Sequence, residues 1–527
     1  MQTRILRTIA SLAVACSVSA PGLAVDDLCS APPPGAERTV TYRVDIGGVP
    51  AGLFVETVEF RSGTVVIEER LDLALRRGGS TLEIESVERF VEDADGAPIE
   101  AGLRQVLGPE PTVRSYRFAD GELQRTEGDR PPVTEPLASD WLTPTAAHRR
   151  RAEAVRAATA ARAARLQSTA EHAPAAGTSA DGDPGRLVLP IFDEESGLRI
   201  EQTYVLEALD EPLALGEALC STSRWRQTSS LTPETPATVW MSPGGTILRT
   251  ETELLGRPLV FERVVGGVAP PSAAGAPEML VDTLIVPDRP IDAPRSQRRM
   301  RYRLRVEGVR AELPSTGWQR ARQEAEGIVV DIDLDAPPVP APPPGPDALA
   351  DSTLIDHRAP AVRDLARRRP APADARLPER AEHWRRVVAE TLEEKNLDTL
   401  FARASAVAAS GSGDCTEHAV LLAALLRADG VPARLAIGVV YAEAFAERPD
   451  VFAYHMWTQA YLDGAWRDLD ATLSADVAFD ATHLTFATTE APAGGMPLAE
   501  LVQVAPWIGR TQLDVLSIVD DESAGAI

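Results

Sequence analysis

Cys415 has the surroundings of a reactive cysteine. It follows the flexible sequence GSGD at 411–414 and opens an apolar helical pattern that continues to 426. The first turn of a helix carries unpaired backbone N–H groups and a partial positive charge, and both stabilise a thiolate. An inert, buried cysteine usually has apolar neighbours, whereas Cys415 lies among Gly, Asp, Thr and Glu. The sequence therefore predicts a nucleophilic thiol at this position.

A base and a carboxylate for this thiol are predicted on a hairpin further along the chain. Residues 452–462 alternate as a strand does, and the turn Asp463-Gly464 connects them to a second strand at 466–469. His455 lies on the first strand and Asp470 directly after the second. Antiparallel neighbours can place a carboxylate beside an imidazole, which fixes its tautomer and stabilises its charge. We therefore expect a catalytic triad of cysteine, histidine and aspartate.

Other polar and aromatic residues near these positions are weaker candidates. Trp457 shares a strand face with the candidate base and, with Glu417 and His418, is predicted to line a substrate pocket. Alternatively, Glu417 and His418 hold local hydrogen bonds on the nucleophile helix. Their spacing from Cys415 matches no common zinc motif, and no acidic calcium loop is present, so no metal or other cofactor is expected. His483 is expected to be structural.

Five segments in this part of the chain resemble the transglutaminase-like superfamily. They are GDCTEHA at 413–419, GVPAR at 430–434, HMW at 455–457, LDGAW at 462–466 and DLDAT at 468–472. The resemblance covers about residues 380–490 and implies an α+β, papain-like core with Cys415, His455 and Asp470 as its catalytic residues. Ala471 departs from the proline that family members often carry, which alters a turn rather than the triad.

The resemblance also implies the class of reaction. Family members include protein crosslinkers, peptidases, deamidases, peptide N-glycanases and relatives that have lost activity. We expect a protein or peptide substrate whose amide carbonyl is attacked by the thiolate, giving an acyl-enzyme that water or an amine resolves. The alternative is a non-catalytic binding or scaffold protein that uses the same fold together with its β modules.

The N-terminus and the cysteines predict export from a bacterial cell. Residues 1–24 have a basic start, an apolar run and small residues ending at Ala24, which is typical of a signal peptide and indicates a periplasmic or secreted protein. A lipoprotein anchored at Cys16 is the less favoured alternative. Cys29 and Cys220 are then predicted to form a disulfide, which leaves the candidate nucleophile free.

The rest of the chain is predicted to be mostly antiparallel β-structure. The predicted Ala/Arg-rich helix is taken as a surface element, and the Pro-rich linker as a stiff, extended spacer. The β domains are candidate surfaces for envelope protein partners. The predicted divisions are a β-rich region at 25–275 with the Ala/Arg-rich helix near 145–170, a small β domain at 276–336, the Pro-rich linker at 337–350, a catalytic domain at 351–500 and a C-terminal extension at 501–527.

The net charge and the distribution of apolar residues argue against a nucleic-acid-binding protein and against a membrane-spanning helix in the mature chain. The formal net charge of −25 argues against a nucleic-acid partner, because phosphate binding needs a basic face. Beyond the predicted signal peptide, no stretch approaches the ~18 consecutive apolar residues that suggest a membrane-spanning helix.

Overall fold

The structure is a computed structural model with side chains. It describes residues 28–29, 37–77, 80–107, 111–128, 130–138, 140–168, 184–233, 235–264, 275–306, 312–392, 402–491, 504 and 507–518. The predicted signal peptide at 1–24, with Cys16, lies outside the described residues. Within the described part of the chain, no helix is both long enough and apolar enough to cross a membrane.

The N-terminal part is a sheet of fourteen antiparallel strands. In β1, Val40, Tyr42, Val44 and Ile46 are buried and alternate with more exposed residues, the period of two that packs one face of a strand into a core. The sheet runs in the order β8-β7-β6-β5-β4-β3-β2-β1-β14-β13-β12-β11-β10-β9. Its strands are β1 (Arg38–Ile46), β2 (Val49–Arg61), β3 (Thr64–Arg77), β4 (Ser80–Asp93), β5 (Pro98–Val106), β6 (Thr112–Ala119), β7 (Glu122–Glu127), β8 (Val133–Pro136), β9 (Arg186–Asp193), β10 (Leu198–Leu215), β11 (Ala218–Ser229), β12 (Ala237–Met241), β13 (Ile247–Leu254) and β14 (Arg257–Val264).

Helix α1 (Pro144–Ser168) lies at the surface but packs one face against this sheet, so the prediction that it is not a core element is wrong for that face. Its residues Ala147, Val155 and Ala158 are buried in the same core cluster as the strands. The alanines that suggested exposure instead permit close approach. A side chain at Gly245 would put its Cβ 2.5 Å from the backbone nitrogen of Ala152, so both surfaces need small residues here.

A disulfide connects Cys29 to Cys220 of β11, with Cα atoms 5.1 Å apart. This separation lies within the range that an unstrained bridge needs. The bridge fixes the chain that precedes β1 to the large sheet. Cys415 is free. Among the described residues, the cysteine that pairs with Cys29 and the cysteine that stays free are therefore those that the sequence predicts.

A smaller sheet follows, and the C-terminus completes it. It has the order β16-β17-β15-β22, built from β15 (Arg299–Val306), β16 (Gln319–Glu324), β17 (Gly327–Asp333) and β22 (Thr511–Ile518). The described part of the predicted C-terminal extension is therefore not an appended tail, because β22 pairs with β15 along its length.

The Pro-rich segment at 337–350 is attached to the fold rather than acting as a free spacer, and it is not extended throughout, because Pro346–Leu349 form a 3-10 helix. The Val339 amide donates to the Gly317 carbonyl at 2.7 Å, and the Ala341 amide donates to the Gly464 carbonyl at 3.0 Å. The Tyr461 hydroxyl also donates to the Ala341 carbonyl at 2.9 Å. These bonds hold the segment against the end of a hairpin in the last unit.

That last unit is an α+β core in which a buried helix packs against an antiparallel sheet. Every residue from Thr416 to Arg427 of α5 is buried, which marks a central helix rather than an amphipathic one. The sheet has the order β20-β19-β18-β21. The elements are α2 (Pro360–Arg368), α3 (Leu377–Thr391), α4 (Ala404–Ser410), α5 (Cys415–Ala428), β18 (Ala433–Phe445), β19 (Arg448–Leu462), β20 (Ala465–Leu469) and β21 (His483–Thr489).

Candidate active site

Cys415 is the first residue of α5, as its flanking sequence predicts. The Asp414 side chain caps the helix by accepting the Thr416 amide hydrogen at 2.8 Å, and Glu417 accepts the Asp414 amide hydrogen at 3.0 Å. Together they form a capping box. Gly413 is required before it, because a Cβ there would lie 2.4 Å from the Cβ of Glu417 at a positive φ of 154°. The thiol therefore sits in the helix's first turn.

His455 and Asp470 are brought together by the β19–β20 hairpin. Asp463 and Gly464 have positive φ values of 53° and 84°, the left-handed backbone that a two-residue hairpin turn needs. Nε2 of His455 lies 2.9 Å from Oδ2 of Asp470. The other carboxylate oxygen accepts the Thr472 amide and hydroxyl hydrogens at 2.8 and 2.7 Å. The carboxylate is buried and fixed.

The pKa values of His455 and Asp470 reflect their contact and their burial. Nε2 of His455 is engaged with Asp470, and Cys415 is close enough to contribute to the pKa of the ring. Burial alone would lower the pKa of His455, but the charge and hydrogen bond of Asp470, together with Cys415, raise it to about 9. Burial acts in the opposite direction on Asp470, yet its two histidine contacts hold its pKa well below the ordinary value.

A second histidine contacts the same carboxylate. Nε2 of His483 lies 3.2 Å from Oδ2 of Asp470, and the ring is buried. Gly438 of β18 makes this possible, because a side chain there would clash with the Leu484 backbone oxygen at 1.8 Å and keep β21 away. Sequence reasoning assigned His483 only a structural role. Its contact with Asp470 crosses the sheet and has no local sequence signal.

The three predicted pocket residues are not pocket walls, because each is about 1% exposed. Trp457 donates its indole N–H to Asp468 at 2.8 Å and stacks on the His455 ring at a centroid distance of 6.0 Å. Glu417 accepts backbone hydrogens, and Nδ1 of His418 lies 2.7 Å from the Asp414 carbonyl. The alternative of local hydrogen bonds on the helix therefore fits Glu417 and His418.

The charges beside the thiol involve both the helix and the large sheet. Burial, then the neighbouring Asp414, raise the pKa of Glu417 to about 8, so this carboxyl is largely neutral at pH 7. Asp414 forms an ion pair with Arg77, the last residue of β3, at 3.2 Å. The N-terminal sheet therefore supplies a cation that pairs with Asp414, the residue directly before the candidate nucleophile.

Among the described residues, His455, Asp470 and His483 are the cluster whose atoms come close enough to consider a metal ion. Each imidazole instead directs Nε2 at one carboxylate oxygen, as a hydrogen-bond donor does. A donor nitrogen carries a hydrogen and cannot ligate a metal at the same time. The hydrogen-bonded arrangement accounts for all three side chains.

The site thus combines a helix-terminal thiol, an imidazole and a buried carboxylate on an α+β core. Residues 363–471 match the family model of the transglutaminase-like superfamily, so the C-terminal part of the chain contains a transglutaminase-like domain, as its motifs predicted. His483 lies beyond the matched residues. A comparison with curated proteins gives no match.

Two solved structures are similar over parts of the chain. One is a beta-barrel-like protein of Brucella abortus with a domain of unknown function, at 9% identity and a TM-score of 0.29, covering 43% of this chain and 95% of that one. The other is a Cytophaga hutchinsonii protein provisionally named a cysteine protease, at 14% identity and a TM-score of 0.26, covering 41% of this chain and 83% of that one. TM-scores this low do not establish a shared fold.

Proposed function

We propose that this chain is an exported thiol enzyme of papain-like fold that acts on protein or peptide amide bonds through a covalent acyl-enzyme. Cys415 is the nucleophile, His455 the base and Asp470 the orienter. The observation that carries the proposal is the 2.9 Å contact between His455 and Asp470, on a ring whose pKa is also raised by the helix-terminal Cys415. The transglutaminase-like domain supports the same chemistry.

In the proposed reaction, the Cys415 sulfur attacks the carbonyl carbon of an amide and forms a C–S bond while His455 holds the thiol proton. The C–N bond then breaks, and His455 gives that proton to the leaving amine. Water or a second amine resolves the thioester and restores the thiol. The first outcome is hydrolysis and the second is acyl transfer. Backbone N–H groups of the first turn of α5, including that of Cys415, are the candidate oxyanion donors.

A thiolate–imidazolium pair is the reactive form that the proposed mechanism uses, and the charges around Cys415 suit it. With a pKa of about 9, the His455 imidazole is protonated at neutral pH. Its positive charge, the N-terminus of α5 and the pairing of Asp414 with Arg77 all favour negative charge on the sulfur.

Export is supported by the disulfide as well as by the N-terminal sequence. Disulfides form and persist in oxidising compartments such as the bacterial periplasm. The bridge between Cys29 and Cys220 suits such a compartment, while Cys415 stays free for chemistry.

Alkylation kinetics test this proposal without a known substrate. We expect iodoacetate to modify Cys415 at pH values well below about 8.5, the usual pKa of a free cysteine. The rate should fall again when the imidazolium that attracts the reagent loses its proton. Cys415→Ser gives the background of labelling, and His455→Ala should remove the reactivity at low pH. Ordinary thiol reactivity in the wild type would instead support the non-catalytic scaffold.

Trapping the acyl-enzyme then separates the two reaction outcomes. A peptide mixture should leave a thioester adduct on Cys415, visible by mass spectrometry and removed by hydroxylamine. Repeating the reaction with a primary amine present should yield amide-linked products if the enzyme is an acyltransferase and free acids alone if it is a hydrolase. A wild-type protein that alkylates readily but yields neither product from varied peptides would argue against amide substrates.

A further inference from the structure

His483 is enclosed by two carboxylates. Its Nε2 lies 3.2 Å from Oδ2 of Asp470, and its Nδ1 lies 3.3 Å from Oδ1 of Asp480 and 3.3 Å from the Asp480 carbonyl. The ring is fully buried. No step of the reaction proposed above uses this residue, although it touches the carboxylate that orients the base.

These contacts determine the protonation of the ring. Each nitrogen of His483 faces oxygen atoms that only accept hydrogen bonds when the carboxylates are ionised. Both nitrogens must therefore carry a hydrogen, which makes the ring an imidazolium. Burial opposes this charge, but the hydrogen bonds to Asp470 and Asp480 raise the pKa of His483 to about 9.

Asp480 is itself held as an anion. Arg295 contacts its carboxylate at 2.6 Å, and the Thr482 amide donates to it at 2.9 Å. Burial would raise the pKa of Asp480, but His483 and Arg295 lower it. The second carboxylate that faces His483 is therefore charged through contacts outside the triad.

The imidazolium of His483 shares one oxygen with the candidate base. Both Nε2 atoms point at Oδ2 of Asp470, and the two ring centroids are 5.8 Å apart. Two cations at this distance repel each other, so a charged His483 makes protonation of His455 less favourable than Asp470 alone would. The titratable and charged groups that face His483 are Asp470 after β20, His455 of β19, Asp468 of β20, Asp480 preceding β21, and Arg295 through Asp480.

We infer that His483 is a positioning residue of this site, a buried imidazolium that fixes the Asp470 carboxylate and limits the basicity that Asp470 confers on His455. The inference rests on the function proposed above. The site is then a unit of four residues: Cys415, His455, Asp470 and His483. In this unit, His483 acts through Asp470 on the pH at which His455 loses its proton, and so on the pH range of the thiolate–imidazolium pair.

The test is the pH profile of iodoacetate alkylation in His483→Gln. Glutamine can still donate one hydrogen bond to Asp470 but carries no charge. The alkaline limb is the high-pH side of the profile, where the rate falls as His455 loses its proton. It should move upward by about one pH unit or more, because the variant removes the positive charge of His483 that repels the His455 imidazolium. Asp480→Asn, which weakens the hold on the imidazolium, should move the limb in the same direction by less.

His357→Gln is the matched control. His357 is also a buried histidine beside a carboxylate, with its Nδ1 3.5 Å from Asp351. It faces Arg427, near the C-terminal end of α5. Arg427 lies about 18 Å along the helix from Cys415, so His357 is far from the site. Its variant should keep the wild-type profile. A folded His483→Gln protein with an unchanged alkaline limb would overturn the inference, because a role in packing alone affects melting and not this limb.

A measurement on the wild type keeps the inference testable if His483→Gln does not fold. Histidine-selective NMR should detect His483 as an imidazolium at neutral pH, and a neutral ring there would overturn the inference. Failure of the proposed function has a different result. In that case the wild-type profile itself is that of an ordinary thiol, whereas a failed inference leaves the wild-type profile bell-shaped and unaffected by the variants.

Discussion

Replacing Asp470 with asparagine tests how the buried site is held together. Four donors converge on this carboxylate: the amide and hydroxyl of Thr472 on one oxygen, and the Nε2 atoms of His455 and His483 on the other. An amide has only one accepting oxygen, and its NH₂ is a donor. Whichever way the asparagine side chain is oriented, its NH₂ faces one of these two pairs of donors.

The expected cost follows from the charges left behind. Removing one partner of a buried ion pair costs about 3–5 kcal/mol, because the remaining charge is neither solvated nor paired. We expect Asp470→Asn to lower the free energy of unfolding by this amount at pH 7. That is a large share of the roughly 5–15 kcal/mol that stabilises a typical domain.

The pH dependence of this cost has a definite sign. The pKa values of His455 and His483 are each raised from about 6.5 in the unfolded chain to about 9 in the folded protein. Their contribution to stability is therefore fully present below about pH 6.5 and is lost as the pH rises through about 9. Urea denaturation of the wild type and of Asp470→Asn should give free energies of unfolding that converge over that interval.

Asp468→Asn is the matched control for this experiment. Asp468 is also buried, two residues earlier, but Trp457 and Gln459 donate to the same oxygen, Oδ1, at 2.8 and 2.7 Å. Burial raises the pKa of Asp468, so its charge is already disfavoured. Asparagine can keep both bonds, and we expect a loss of about 1 kcal/mol. Equal losses for the two variants, or an Asp470→Asn protein as stable as the wild type, would refute the argument from charge.

Three further predictions concern the thiol, the ion pair beside it and the disulfide of the N-terminal sheet. Cys415→Ser should abolish turnover and acyl-enzyme formation with little change in melting temperature, since the side chain is only partly buried. Arg77→Gln should slow iodoacetate alkylation at neutral pH by about tenfold, because the Asp414 charge beside the thiol loses its partner; an unchanged rate would exclude that effect. The double variant Cys29→Ser/Cys220→Ser should lose about 2–4 kcal/mol of stability in the N-terminal sheet while the alkylation profile of the thiol stays the same.

The parts of the site that the sequence predicts are those encoded locally. Asp463-Gly464 between two alternating strands predicts a tight hairpin, and the hairpin alone brings His455 near Asp470. The Gly-rich approach and the apolar run after Cys415 predict a helix that begins at the cysteine. Each of these signals extends over fewer than about 25 residues, so periodicity and turn chemistry are enough to find them.

The parts that the sequence does not predict depend on contacts between distant segments. Helix α1 has alanines on its buried face, and one of them, Ala152, lies against Gly245, which is distant in sequence. Strand β22 pairs with β15 across about 200 residues of chain. His483 reaches Asp470 because Gly438, on a third strand, admits β21. None of these partners is identifiable from the pattern of the segment that needs it.

The nucleophile helix begins where the N-terminal sheet meets the last unit. Arg77 ends β3 and pairs with Asp414, the residue that caps α5. A second contact between the N-terminal sheet and the C-terminal part of the chain is that of the Thr353 hydroxyl, which donates to Glu127 at 2.6 Å. Because Asp414 adjoins the thiol, a shift of the sheet relative to the helix changes the charge that the sulfur experiences. The large sheet therefore contributes to the environment of Cys415 rather than being only an attached module.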